Sequence, residues 1–188
     1  ELDVTQATSL FDTAKQYDAL AHWLYVGDSI LHLAAAGHQP QISRLLLAAG
    51  ADPNSAQSRR QGTPLHYAAD GYLASPWWNA AQQTETIQVL VGAGAQVNAQ
   101  DQNGASPLHR AVRCRCAEAV ICLLETGADN ALKNKSGSTA FHLAVQSTGR
   151  GGSGTPAARS AQKEIVLALR AAGADPAFKD GKGRSVFD

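Results

Sequence analysis

At 188 residues, 44% of them hydrophobic, the chain is long enough for one substantial domain or one continuous repeat array and too apolar for general disorder. Its 16 basic and 16 acidic residues cancel, which argues against a protein that coats nucleic acid through a basic excess. It has no run of about eighteen apolar residues and no basic-then-apolar leader, so membrane insertion is not expected. Three cysteines crowded at 114, 116 and 122 are no disulfide framework, and the expectation is a reducing, cytoplasmic setting.

In chain order, LFDTAKQYDALAHWLY at 10–25 has apolar residues at 10, 14, 17, 20, 21 and 24. That helical spacing predicts a single capping helix within 1–26. Four units follow, at 27–60, 61–103, 104–136 and 137–182, and residues 183–188 either open a fifth or seal the last. The units superimpose on SILHLAA (29–35), TPLHYAA (63–69), SPLHRAV (106–112) and TAFHLAV (139–145). Each predicts a narrow first helix, capped by Ser or Thr and in two cases opened by proline. A bulkier second helix ends in Gly–Ala, as in RLLLAAGADPN (44–54), QVLVGAGAQVN (88–98), CLLETGADN (122–130) and LALRAAGADP (167–176).

The aligned histidines His32, His66, His109 and His142 lie 34, 43 and 33 residues apart. The period is therefore about 33, broken by insertions at the helix–helix turn of the second unit, near 72–82, and of the fourth, near 147–160. A single unit cannot bury both faces of a helix pair, whereas a stack can. A short polar segment between units, such as NAQDQNG (98–104), suits a projecting hairpin.

These residues resemble the ankyrin repeat family: Gly, one residue, Thr-Pro-Leu-His, one residue, Ala-Ala, then Leu-Leu and Gly-Ala. The likeness covers roughly 27–188. It implies an all-α repeat solenoid with short β-hairpin fingers, a curved stack, and a recognition surface made by finger tips and inner helices. It also implies a non-catalytic protein that binds another protein, with no cofactor and no metal. Two departures stand out. Gln61 takes the finger position held by Gly27, Gly104, Gly137 and Gly183, and Arg115 sits where the family has a glycine between its helices.

The four histidines recur one per repeat and cannot converge on one ion, so their expected role is structural, bonding the backbone of the finger and first turn. Cys122 stands at a core position, while Cys114 and Cys116 are expected in a short turn near the surface. GRGGSG at 149–154 lacks the Gly-Lys-Ser/Thr of a phosphate loop. The Trp77–Trp78 pair in the second unit's insertion either folds back on the outer helices or anchors a partner. Projection of the repeats places Tyr67, Arg110 and Arg113 on the concave face. The fingers add Arg59, Arg60, Lys133, Lys135, Lys179, Lys182 and Arg184 against Asp101 and Asp180. That pattern predicts an acidic peptide or protein surface as partner. Two other readings stay open: a targeting or regulatory domain of a longer enzyme, and a scaffold or oligomerisation domain that uses the Trp77–Trp78 insertion.

Overall fold

The computed structural model describes residues 15–17, 22–71, 75, 78–146 and 154–188. Four helix pairs follow one another: α1 (Ile30–Ala36) with α2 (Pro40–Ala48), α3 (Pro64–Ala69) with α4 (Ala80–Gly92), α5 (Pro107–Cys114) with α6 (Ala117–Glu125), and α7 (Ala140–Val145) with α8 (Pro156–Ala171). The first helices pack in one row, α1 on α3 on α5 on α7, and the second helices in another, α2 on α4 on α6 on α8. The result is an all-α repeat solenoid with its core between the rows.

Sequence chemistry accounts for each element. Ser29, Thr63, Ser106 and Thr139 cap the first helices in extended backbone geometry. Ala35, Ala68, Ala69, Ala111 and Ala144 are wholly buried, so the first helices approach closely. Larger side chains fill the second row: Ile87, Leu90, Val120, Leu123, Ile165 and Leu169 are all fully buried. Each is worth about 1.5–3 kcal/mol relative to exposure. The second helices end at Gly50, Gly94, Gly127 and Gly173 with φ of 90°, 90°, 96° and 82°. A Cβ there would meet no neighbour, so the left-handed turn alone demands glycine.

The fingers are not β-hairpins. Of the five finger positions, the four after Gly27, at 51–63, 95–106, 128–139 and 174–185, contain turns and no strand. In the third, Asp101 Oδ1 accepts the N–H groups of Asn103 and Ala105, at 2.8 and 3.0 Å, and Asp180 does the same for Lys182 and Arg184. Side-chain turns thus take up donors that a ladder would use. Neighbouring fingers share single backbone bonds instead: Gln102 to Arg60, Lys135 to Asn103, and Gly181 to Ser136.

The capping helix expected over 10–25 is overturned as well at the residues described there, 15–17 and 22–25. Strands β1 (Lys15–Tyr17) and β2 (His22–Leu24) pair antiparallel there, with Gln16 opposite Trp23. The cause lies in the finger register. Leu24 stands three residues before Gly27, as Asp101 does before Gly104, so β2 is the approach to a finger and must be extended. Leu24 is completely buried, and β2 packs on α1.

The insertions have an unexpected consequence. Their ends lengthen α4 and α8 to 13 and 16 residues, against 9 for α2 and α6. They also remove the turn that would otherwise close α3 and α7, whose C-caps Asp70 and Gln146 are extended. The preceding unit supplies the missing donors. His38 Nε2 reaches Asp70 O at 2.9 Å, and Arg115 Nη1 and Nη2 reach Ala144 O and Gln146 O at 2.9 and 2.6 Å. His38 and Arg115 occupy the same repeat position, and both have positive φ, 49° and 63°. Gln83 and Gln162 add bonds from the following helix, to Ala68 O and Ala144 O. Replacing Arg115 by methionine is expected to lower stability by about 2 kcal/mol, the loss of charge-assisted bonds to buried carbonyls. Urea unfolding would show this, with faster amide exchange at the end of α7.

Candidate functional site

The repeat histidines tie each first helix to the next finger. Backbone N–H groups of Ser29, Thr63, Ser106 and Thr139 donate to Nδ1 of His32, His66, His109 and His142 at 3.0, 3.1, 3.2 and 3.2 Å. Nδ1 must then be the acceptor, which leaves Nε2–H to donate to Gly62 O, Ala105 O, Ser138 O and Arg184 O. Burial lowers the pKa of His32 and His109, and takes His66 down to about 4, where Arg110 adds to the effect.

Tyr67 and Arg110 do not face solvent as projected; both are buried. The Tyr67 hydroxyl donates to Asp28 Oδ2, and its ring meets His32 edge-on at 5.0 Å. Burial, then Asp28, raises the phenol pKa above its ordinary value. Arg110 lies over the same ring at 5.6 Å and forks to Asp70 and Asp101, each at 2.9 Å. Burial alone would lower its pKa, and the two carboxylates override it and hold the guanidinium charged. Arg113 stays 40% exposed, 3.8 Å from Asp70. The centre of the inner face is thus a cross-repeat network of Asp28, Tyr67, Arg110, Asp70 and Asp101. Asp28 is the member that projection of the repeats did not supply, because it partners a residue 39 positions away.

The finger row remains open. Arg59, Lys133 and Lys135 are exposed and Arg60 is half-buried. Arg59 and Arg60 flank the Tyr25 ring at 5.4 and 5.2 Å, and Lys133 stands over Phe178 at 4.4 Å. Lys179, Lys182 and Arg184 continue the row. The carboxylates of Asp101 and Asp180 are buried under the tips, and the exposed ones, Asp52, Asp129 and Asp175, sit at finger roots. The tips therefore present cations and aromatic rings.

The family model described as "Ankyrin repeats (3 copies)" matches residues 77–180, and the one described as "Ankyrin repeat" matches 26–58. The chain belongs to the ankyrin repeat family. Similar curated proteins include the E3 ubiquitin-protein ligase KEG of Arabidopsis thaliana, 28% identical over 79% of this chain and 8% of its own length. Rabankyrin-5 of Mus musculus is 38% identical over 64% of this chain and 10% of its length. Ankyrin repeat and SOCS box protein 6 of Homo sapiens is 32% identical over 59% of this chain and 26% of its length. The chain thus spans about a tenth or less of the first two relatives.

The ankyrin repeat architecture is that of a non-catalytic domain, in which buried groups such as His66 and Arg110 join one repeat to the next. Among the described residues no cluster of His, Cys, Asp and Glu is arranged to hold a metal, and no helix is long and apolar enough to cross a membrane. Cys114 and Cys116 are buried, not near the surface as the turn suggested, and so is Cys122. Burial pushes the Cys114 thiol up to about 12, aided by Asp70, and raises Cys116 and Cys122 too. Trp78 is half-buried on the core, its indole N–H donating to Gln83 at 3.2 Å. It sits tightly against Gly71, where a Cβ would come within 2.7 Å of the indole nitrogen and 2.5 Å of Cys116 Sγ. Trp77 lies outside the described residues.

Proposed function

We propose that this ankyrin repeat domain is a protein-interaction module whose finger row grips an acidic peptide or acidic protein surface. The observation that carries the reading is the separation of charge on the fingers: cations at the tips, two carboxylates buried beneath them. Arg59, Arg60, Lys133 and Lys135 are the gripping residues, with Arg113 on the inner face in the last turn of α5. Tyr67 and Arg110 act from underneath, holding the neighbouring fingers in place. Because the whole chain is neutral, the cationic row is a local feature suited to steering and register on a protein partner more than to coating a polyanion. The size of the relatives supports a binding part within larger proteins.

Reversal of Arg59, Arg60, Lys133 and Lys135 to glutamate is expected to leave the melting temperature nearly unchanged, since surface charges contribute little to folding. The same variant should weaken binding of a labelled aspartate- and glutamate-rich peptide about tenfold or more, mostly through slower association. Equal affinity of the two proteins for that peptide, measured at low and at physiological salt, would refute the finger-row reading.

A further inference from the structure

The outer face carries a second feature of opposite character. Between α6 and α8 runs an open groove of about 510 Å³, lined by Ile121, Leu124, Leu167 and Ala168, with Glu125 and Glu164 as its only charged lining residues. Ile121 and Leu167 are 40% and 55% exposed, so the two large aliphatic side chains that face each other across the groove reach solvent.

Comparison with the other end of the stack shows what this groove lacks. Between α2 and α4, Arg44 pairs with Glu85 at 2.7 Å across the seam. Arg44 lies six residues before Gly50 and Glu85 nine before Gly94. The residues at those same two positions in α6 and α8 are Ile121 and Glu164. The carboxylate is kept and its cation is replaced by an aliphatic side chain. Glu164 has only a long bond of 3.4 Å from Ser160, and neither it nor Glu125 has an ion pair among the described residues. Two uncompensated carboxylates therefore border an uncovered apolar trough. An occupant complementary to both has an apolar stripe with cations at its edge.

We infer that the α6–α8 groove is a docking site for a basic amphipathic helix of a partner protein, whose apolar stripe covers Ile121 and Leu167 while a lysine or arginine pairs with Glu164. This is helix-in-groove recognition, reading side chains at i, i+3, i+4 and i+7. The surface faces away from the finger row and selects the opposite charge, so the domain can hold two different partners at once.

The test uses the whole 188-residue chain and a fluorescein-labelled synthetic helix with leucines at i, i+3, i+4 and i+7 and lysines beside them. Its affinity is read by anisotropy against the same peptide with glutamates for lysines. The lysine peptide is expected to bind at least about tenfold more tightly, a difference near 1.4 kcal/mol. Ile121→Arg rebuilds the ion pair seen between α2 and α4, so it should preserve the fold and weaken that binding about tenfold or more. Glu164→Gln should weaken it with the groove left open. Charge reversal of Arg59 and Arg60 should leave it unchanged, which keeps this site and the finger row separately testable. The inference is overturned by absent saturable binding, by no preference between the peptides, or by an unaffected Ile121→Arg variant. Self-association of the chain that Ile121→Arg abolishes would overturn it too, by assigning the groove to a second copy.

Discussion

Removing the Arg110 side chain is expected to destabilise the fold by about 3 kcal/mol, at the lower end of what breaking a buried charge pair costs. The guanidinium is held between Asp70 and Asp101 and lies over Tyr67. Arg110→Ala would strand two carboxylates in a site that water barely reaches. The loss is moderated because Asp101 keeps its two backbone donors and Asp70 keeps Arg113 and the Cys114 thiol nearby. In a double-mutant cycle with Asp70→Asn, the coupling between the two positions should exceed about 1 kcal/mol. Urea unfolding of Arg110→Ala within about 0.5 kcal/mol of the unaltered chain would show that the network adds nothing to stability. The consequence for function is direct. A variant that reverses Arg110 tests folding before it tests binding, so the exposed finger cations are the proper probes of recognition.

The solenoid was legible because its signal is periodic. A cap, a large apolar residue, a histidine and an alanine recurring every 33 residues or so cannot be satisfied by any one unit alone. What periodicity does not carry is the identity of cross-repeat partners. Arg110 occupies a projected solvent position, and only the structure shows Asp70 and Asp101 converging on it. The same limit explains Leu24: its helical spacing within 10–25 is real, but its place three residues before a finger glycine decides its conformation. The β-hairpin fingers failed for a local chemical reason, since Asp101 and Asp180 side chains capture the donors a ladder needs. The cationic tips could be read from the sequence. The groove between α6 and α8 could not, because it depends on a comparison of two seams that only the stack brings into register.

Arg115 shows how an apparent defect becomes intelligible. As a non-glycine residue with φ of 63° it is strained, by about 1 kcal/mol or more. Its guanidinium is fully buried and caps α7, the helix whose own closing turn has been replaced by an insertion. His38 does the same for α3, one unit ahead of the other insertion. The two insertions and the two positive-φ residues His38 and Arg115 are therefore linked pairs. Each lets a long segment leave the helix–helix turn without fraying the first helix behind it. The irregular features of this array are organised by the stack and do not interrupt it.

Acid should weaken the stack before it protonates Asp101 and Asp180. His66 is neutral in the folded chain down to about pH 4, chiefly because it is buried, whereas in the unfolded chain it takes up a proton near 6.5. Its folded pKa is depressed, so the unfolded state binds the proton first. The stabilisation is complete above about pH 6.5 and is lost progressively as pH falls toward 4. For His66 alone that amounts to roughly 3 kcal/mol, at 1.36 kcal/mol for each unit. His32 and His109 are shifted in the same direction by burial and steepen the loss. Geometry gives the reason: a proton on Nδ1 would confront the cap N–H that already donates to it. Asp101 and Asp180, whose pKa values are lowered, release their contribution only below the ordinary carboxylate range. Urea unfolding between pH 7 and pH 4.5 should therefore show a slope of more than one proton. His66→Gln should lower stability at pH 7 and reduce that slope by about one proton. A stability that is flat from pH 7 to 4.5 would mean that the histidines titrate alike in both states, and that their bonds to the next finger do not hold the repeats together.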